Sequence, residues 1–195
     1  IASSDWASMI ESGANDADSP DSGWLPGCRR ILSPNFDLRP PDTVISLLVV
    51  HAISLPPGEF GSDDVADLFC NRLNVGRHPF FAEIAGLRVS SHFFVRRDGE
   101  SVQFVSCDAR AWHAGASVWQ GRERCNDFSI GIELEGCDDL PFESVQYSTL
   151  NRLVLQLRER YPLLAAVGHS DIAPGRKTDP GPHFDWSRVA GIASP

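Results

Sequence analysis

The apolar positions of this chain change period several times along its length. "VISLLVVH" is a continuous apolar run rich in β-branched residues and ending at His51, which predicts a strand covered on both faces. "SDDVADLFCNRL" then sets Val65, Leu68, Phe69 and Leu73 at helical spacing behind a polar start. "SHFFVRRDGESVQFVS" predicts a hairpin, two strand-like runs around Asp98-Gly99. "FSIGIELEG" alternates strictly, with Ile130, Ile132 and Leu134 on one side and Gly131, Glu133 and Glu135 on the other. "VQYSTLNRLVLQLRERY" places Leu150, Leu153, Val154 and Leu157 along one stripe of an amphipathic helix. Interleaved strands and helices of this kind define an α/β fold, a mixed central sheet flanked by helices, in a single domain without internal repeats.

The stretch "VGHSDIAPGRKTDPGP", Val167 to Pro182, breaks this pattern. Its three prolines fix φ and remove donors, so it reads as a long, stiff loop, and such a loop in a compact domain is usually functional. It carries His169, Lys177 and Asp179. His51, at the end of the first strand, stands where α/β proteins present reactive groups, although a histidine there can equally bond to backbone. Two histidines and a carboxylate suit a zinc site that keeps one position for water, but the bare spacing of His169 and Asp179 with a distant His51 is a weak pattern. Glu133 faces away from the apolar side of its strand. That position suits a solvated carboxylate as well as a base beside a metal-activated water, and Gly131 leaves room for a close approach. Lys177 offers an ammonium to the same water or to a developing oxyanion.

Composition narrows the setting. The 195 residues carry a net charge of -9, which argues against a nucleic-acid surface. Residues 1–22 form an acidic, flexible N-terminal extension in this reading, with Asp5, Glu11, Asp16, Asp18 and Asp21 and no Lys or Arg; residues 23–195 form the domain. No run approaches the roughly 20 apolar residues of a membrane span, and the opening segment lacks the basic and apolar regions of a secretory signal. Five cysteines without a C-x-x-C pair fit reduced thiols, read as small buried hydrophobes in a cytoplasmic monomer, better than a disulfide framework. His78, before Pro79, reads as a loop or helix-start residue, His183 as surface, and His92 as near the site without a ligand's spacing.

Five blocks in order, "LLVVHAISLPPGEFG", "HPFFAEIAGLRVSSHFFVRRDG", "RAWHAG", "QGRERCNDFSIGIELEG" and "GHSDIAPGRKTDPGPHFDW", resemble the AmpD-type 1,6-anhydro-N-acetylmuramyl-L-alanine amidases of the wider N-acetylmuramoyl-L-alanine amidase and peptidoglycan-recognition superfamily. The resemblance runs from about Gly23 to the C-terminus. It implies one Zn²⁺ held by His51, His169 and Asp179, with Glu133 (not Glu135) as the essential glutamate and Lys177 beside it. It further implies Arg88 and Arg124 on the stem-peptide carboxylates, and Trp112 and His113 along the sugar side of a groove. The activity implied is hydrolysis of the lactyl–L-alanine amide of small anhydromuropeptides during bacterial cell-wall peptidoglycan recycling, with neither a membrane nor nucleic acid as partner. A recognition module that binds muropeptide without cutting it, and an amidase acting on intact wall, are the competing readings; the complete ligand set argues against the first. One departure stands out: family sequences usually read "VVHNIS", whereas Ala52 follows His51 here. Alanine cannot offer the amide hydrogen bonds of asparagine, so altered turnover or peptide fit is expected, with metal binding retained.

Overall fold

The computed structural model describes residues 22–194. In chain order the strands are β1 (Arg29–Arg30), β2 (Phe36–Leu38), β3 (Leu47–Ile53), β4 (Phe93–Val95), β5 (Ser101–Gln103), β6 (Ala109–Ala111), β7 (Val118–Trp119), β8 (Arg122–Glu123), β9 (Ser129–Glu135) and β10 (Ala165–Gly168). The helices are α1 (Asp64–Phe69), α2 (Pro79–Ile84), α3 (Ser144–Arg158) and α4 (His169–Ile172). Six strands make one sheet in the order β1-β5-β4-β9-β3-β10. From β10 to β4 the neighbours are parallel, β5 returns antiparallel to β4 as the predicted hairpin, and β1 lies parallel to β5. The sheet is mixed, as the alternation of segments implied.

β3 and β9, seven residues each, are the longest strands and lie side by side in the sheet. Leu48 and Val50 of β3 join Ile130, Ile132 and Leu134 of β9 on one face, where Leu150, Leu153, Val154 and Leu157 of α3 close the core. Each of those four helix side chains is fully buried, which stabilises the fold by about 1.5–3 kcal/mol apiece on area bookkeeping. Gln146 ties the helix start to the sheet: its Oε1 accepts the Glu143 N–H, while its Nε2 donates to the carbonyls of Val95 and Glu135. On the opposite face Leu47 and Val49 pack with Phe128, Val167 and Ile172, and a second cluster gathers Phe94, Val102 and Phe104 under α1 and α2. The gap between these two clusters, at the C-terminal ends of β3 and β9, holds polar residues.

Three expectations change here. The face of β9 bearing Gly131, Glu133 and Glu135 is buried throughout, because loops cover the second side of the sheet. The Val167–Pro182 segment begins as the end of β10 and one turn of α4, so only its later part is loop. It is braced by backbone bonds, Ser170 N–H to Asp179 O and Lys177 N–H to Ala173 O, as well as by proline. Of the cysteines, Cys107 and Cys125 are buried, but Cys28, Cys70 and Cys137 are only half-buried, and none is joined to another. The reading of an acidic extension falls on residues outside those described, apart from Ser22. Just beyond it, the Gly23 carbonyl accepts from Cys107 N–H and Gln103 Nε2, and Leu25 enters the core. Among the described residues no helix is long and apolar enough to cross a membrane.

The burial pattern of α3 makes a direct test. Leu153→Ala is expected to lower unfolding free energy by about 2–5 kcal/mol, whereas Leu155→Ala, on the exposed side of the same helix, should change it by less than about 0.5 kcal/mol. Urea denaturation followed by circular dichroism measures both.

Candidate metal centre and active site

The parallel register of β3 and β9 pairs His51 with Glu133, so both side chains emerge from the same face, side by side. β10 lies on the other flank of β3 and delivers His169 at its end, as the first residue of α4. The following loop turns back to bring Asp179 alongside. Nδ1 of His51 lies 2.9 Å from Nδ1 of His169, and each is 3.1 Å from Oδ2 of Asp179. Both histidines are buried and the aspartate is half-buried.

These residues fit a divalent cation. Nε2 of His169 faces the Ala114 carbonyl at 3.1 Å. A carbonyl only accepts, so that nitrogen carries the proton and Nδ1 is left as a lone pair. Burial pushes the His51 imidazole down, to about 4, against the opposing influence of Asp179, and keeps it neutral. Lone pairs and a carboxylate oxygen at such range repel one another unless a positive charge lies between them. Two imidazoles and one carboxylate are also a ligand set that zinc prefers.

Behind the triad lies a second layer. His113 sets Nδ1 2.9 Å from Nε2 of His51, and its Nε2 is 3.2 Å from Ser129 Oγ. Its ring lies over Gly131 so closely that a methyl group there would come within 2.5 Å of it. Asn126 Oδ1 accepts both the His113 and Ala114 N–H groups, fixing the turn that presents the His113 ring and the Ala114 carbonyl together. Arg39 in turn clamps the segment carrying Asn126 and Ser129, donating to the carbonyls of Cys107, Asn126, Asp127 and Ser129. His92 accepts the Gly131 N–H through Nδ1, one layer further from the triad.

Glu133 is buried, and its Oε2 finds no hydrogen-bond partner. Burial and the nearby Asp179 raise its pKa well above the ordinary carboxylate range, with Lys177 opposing. An unsatisfied buried carboxyl is costly for folding and therefore points to chemistry. Glu135, two residues on along the same face, is spent on structure: its oxygens accept the N–H groups of Gly61 and Arg97. The two glutamates of "GIELEG" are thus distinguished by their donors. Glu133, His169, Lys177 and Asp179 line a cleft of about 510 Å³, whose other wall carries Leu55, Phe80, Ile84 and Leu87. That volume suits a small ligand.

The remaining candidates divide. Trp112 and His113 both line the cleft, but His113 also backs His51, a position that "AWHAG" did not reveal. Arg88 is exposed between Leu87 and Val89, which line the cleft. Arg124 is also exposed, with φ 61°, and pairs with Asp127 at 3.2 Å. Neither guanidinium forms part of the cleft wall. His78 caps α2, its Nδ1 accepting the Phe80 N–H, and His183 is exposed. Asn126, Ser129 and Arg39 went unread, since their work is done through backbone groups that leave no spacing signature.

A candidate metal triad beside an unpartnered buried carboxyl, at the carboxyl ends of parallel strands, defines a hydrolase-type centre. The N-acetylmuramoyl-L-alanine amidase family matches residues 41–182. The chain is 57% identical over 176 residues to 1,6-anhydro-N-acetylmuramyl-L-alanine amidase AmpD of Escherichia coli strain K12, covering 89% of this chain and 96% of that protein. It is 51% identical over 171 residues to AmpD of Haemophilus influenzae, covering 86% and 93%. A crystal structure of a selenomethionine AmpD derivative superimposes with a TM-score of 0.83 at 56% identity, over 87% of this chain and 96% of that one. The chain belongs to the N-acetylmuramoyl-L-alanine amidase family, resembles its AmpD-type members, and is an amide-bond hydrolase.

Gly131 is a position at which the packing against His113 leaves no room for a side chain. Gly131→Ala is expected to destabilise the fold by about 1–3 kcal/mol through overpacking against His113. Thermal melts of the two proteins give the difference.

Proposed function

We propose that the chain is a zinc-dependent amidase that hydrolyses the lactyl–L-alanine amide of 1,6-anhydromuropeptides in cell-wall recycling. The observation that carries this is the convergence of His51, His169 and Asp179 beside a buried Glu133 with a free oxygen, where His169, Asp179 and Glu133 line a cleft of small-ligand size. A related amidase, AmiD from E. coli, has been solved with anhydro-N-acetylmuramic acid-L-Ala-D-γ-Glu-L-Lys; it superimposes with a TM-score of 0.58 at 31% identity, over 80% of this chain and 61% of that one. A muropeptide of that chemistry, acted on by a monomer in the cytoplasm, completes the reading.

Zinc held by His51, His169 and Asp179 would supply Lewis acidity, acidifying water and drawing electrons from an amide carbonyl. Glu133 accepts the proton of the attacking water as its oxygen bonds to the lactyl carbonyl carbon. The carbonyl oxygen gains the negative charge, and the Lys177 ammonium, on the loop facing the cleft, stabilises it. Glu133 then returns the proton to the alanine nitrogen as the C–N bond breaks, releasing a lactyl carboxylate and a free peptide. The raised pKa of Glu133 suits both halves of this cycle, because a stronger base is also the group that holds a proton long enough to deliver it. Trp112 and the apolar wall would receive the sugar. Arg88 and Arg124, with exposed guanidiniums, would close on the carboxylates of the stem peptide in bidentate fashion.

Incubation with anhydromuropeptide followed by mass analysis of free peptide tests the reading. Peptide release is expected from the zinc-loaded protein and none after chelation; chelator-insensitive release would refute it. Glu133→Ala and Lys177→Ala are each expected to lose at least about 10²–10³ in turnover while retaining zinc by metal analysis, and full activity in either removes that residue from the mechanism. Ala52 stands next to His51 and lines the cleft. Ala52→Asn is expected to change kcat or KM with zinc content unaltered; identical constants would show that position 52 does not contact substrate.

A further inference from the structure

If His51, His169 and Asp179 hold a metal, the proton on each imidazole must lie on the nitrogen that faces away from it. For His169 the Ala114 carbonyl ensures this directly. His51 has no carbonyl behind it, only another imidazole, and an imidazole can either donate or accept. We propose that Ser129 and His113 are positioning residues that set the tautomer of His51, keeping its Nδ1 unprotonated towards the metal; the proposal rests on the metal-ligand reading above.

The direction of the relay is set at its far end. Ser129 Oγ lies 2.5 Å from the Cys125 carbonyl oxygen. Two oxygens come that close only with a proton between them, and the carbonyl has none, so the serine hydroxyl donates there. Having one proton, Ser129 can only accept from its other neighbour, His113 Nε2 at 3.2 Å. His113 therefore carries its proton on Nε2 and offers the lone pair of Nδ1. Nε2 of His51, 2.9 Å from that lone pair, must donate. The remaining nitrogen of His51, Nδ1, is then the one directed at His169 Nδ1 and Asp179 Oδ2. Every link is buried, so water does not compete for the donors. Reversing the relay would place a proton on Nδ1 of His51, inside the triad, and a cation would have to expel it before binding. Gly131 and Asn126 hold the His113 ring and backbone in the position the relay needs.

The test uses the full-length chain, labelled with ¹⁵N and stripped of zinc. Long-range ¹H–¹⁵N correlation spectra read the tautomer of each histidine, and competition with a chromophoric chelator gives the zinc Kd. The parent is expected to show His51, His113 and His169 all protonated on Nε2. His113→Phe keeps a ring against Gly131 but removes the acceptor, and should weaken zinc binding by about 10- to 100-fold. His113→Gln can accept from His51 through its carbonyl oxygen and donate to Ser129 through its amide, and should recover most of that loss. Ser129→Ala should raise the Nδ1-protonated population of His51. A merely space-filling role would favour phenylalanine over glutamine, so the order of the two variants separates the explanations. Parent His51 protonated on Nδ1, or a phenylalanine variant that binds zinc as tightly as the parent or more tightly than the glutamine variant, overturns the proposal alone. A parent that binds no zinc overturns the metal-ligand reading as well.

Discussion

The register between β3 and β9 is the constraint on which the site depends. Parallel pairing places His51 opposite Glu133 on one face, while Val50 and Ile132 turn together into the core beneath α3. Side-chain direction alternates with a period of two, so a slip of β3 by one residue would send the imidazole into the apolar core and Val50 or Ala52 into its place. The hydrophobic packing under α3 therefore does more than stabilise the sheet. It selects the single register in which His51 and Glu133 are neighbours.

The same arrangement creates an electrostatic problem, since it buries His51, His92, His113, Glu133, Glu135 and His169 on one face of a sheet. Desolvated polar groups are tolerable only when each finds a partner. Loops supply the Gly61 and Arg97 N–H groups for Glu135 and the Ala114 carbonyl for His169, and β9 itself supplies the Gly131 N–H for His92. Among the described residues three buried side-chain atoms are left without a partner, Ser91 Oγ, Trp112 Nε1 and Glu133 Oε2, and the last of these lies beside the convergent nitrogens and oxygen of His51, His169 and Asp179. Glu133 is thus the one carboxyl on this face that the loops leave with an unpartnered oxygen among the described residues.

Much of the fold was legible in the sequence because its largest elements are local and strongly periodic. β3, β9, the β4–β5 hairpin and α3 each announce themselves within a window of about a dozen residues. Pairing order is not local, and nothing in "FSIGIELEG" says that it lies beside "LLVVHAI". For the same reason Glu133 read equally well as a solvated residue, since alternation gives a face but not what covers it. The triad was legible only through its resemblance to a family; the spacing of His169 and Asp179 with His51 alone is too common to identify a ligand set. Arg88 and Arg124 are the part of the resemblance that the cleft wall does not include. Ser129 and Asn126 act through hydroxyl and amide bonds to backbone, and such residues occur everywhere in loops without doing so.

Arg39 shows how far the dependence of the site extends. It precedes β3, contributes nothing to the cleft wall, and yet one guanidinium gathers carbonyls from four residues between Cys107 and Ser129. Losing it would release the segment from below, and the imidazoles would lose their alignment although none of them had been altered. Inactivating lesions in such a protein need not map to the reactive surface. Some belong to its foundations, where a genetic screen would find them and a view into the groove would not.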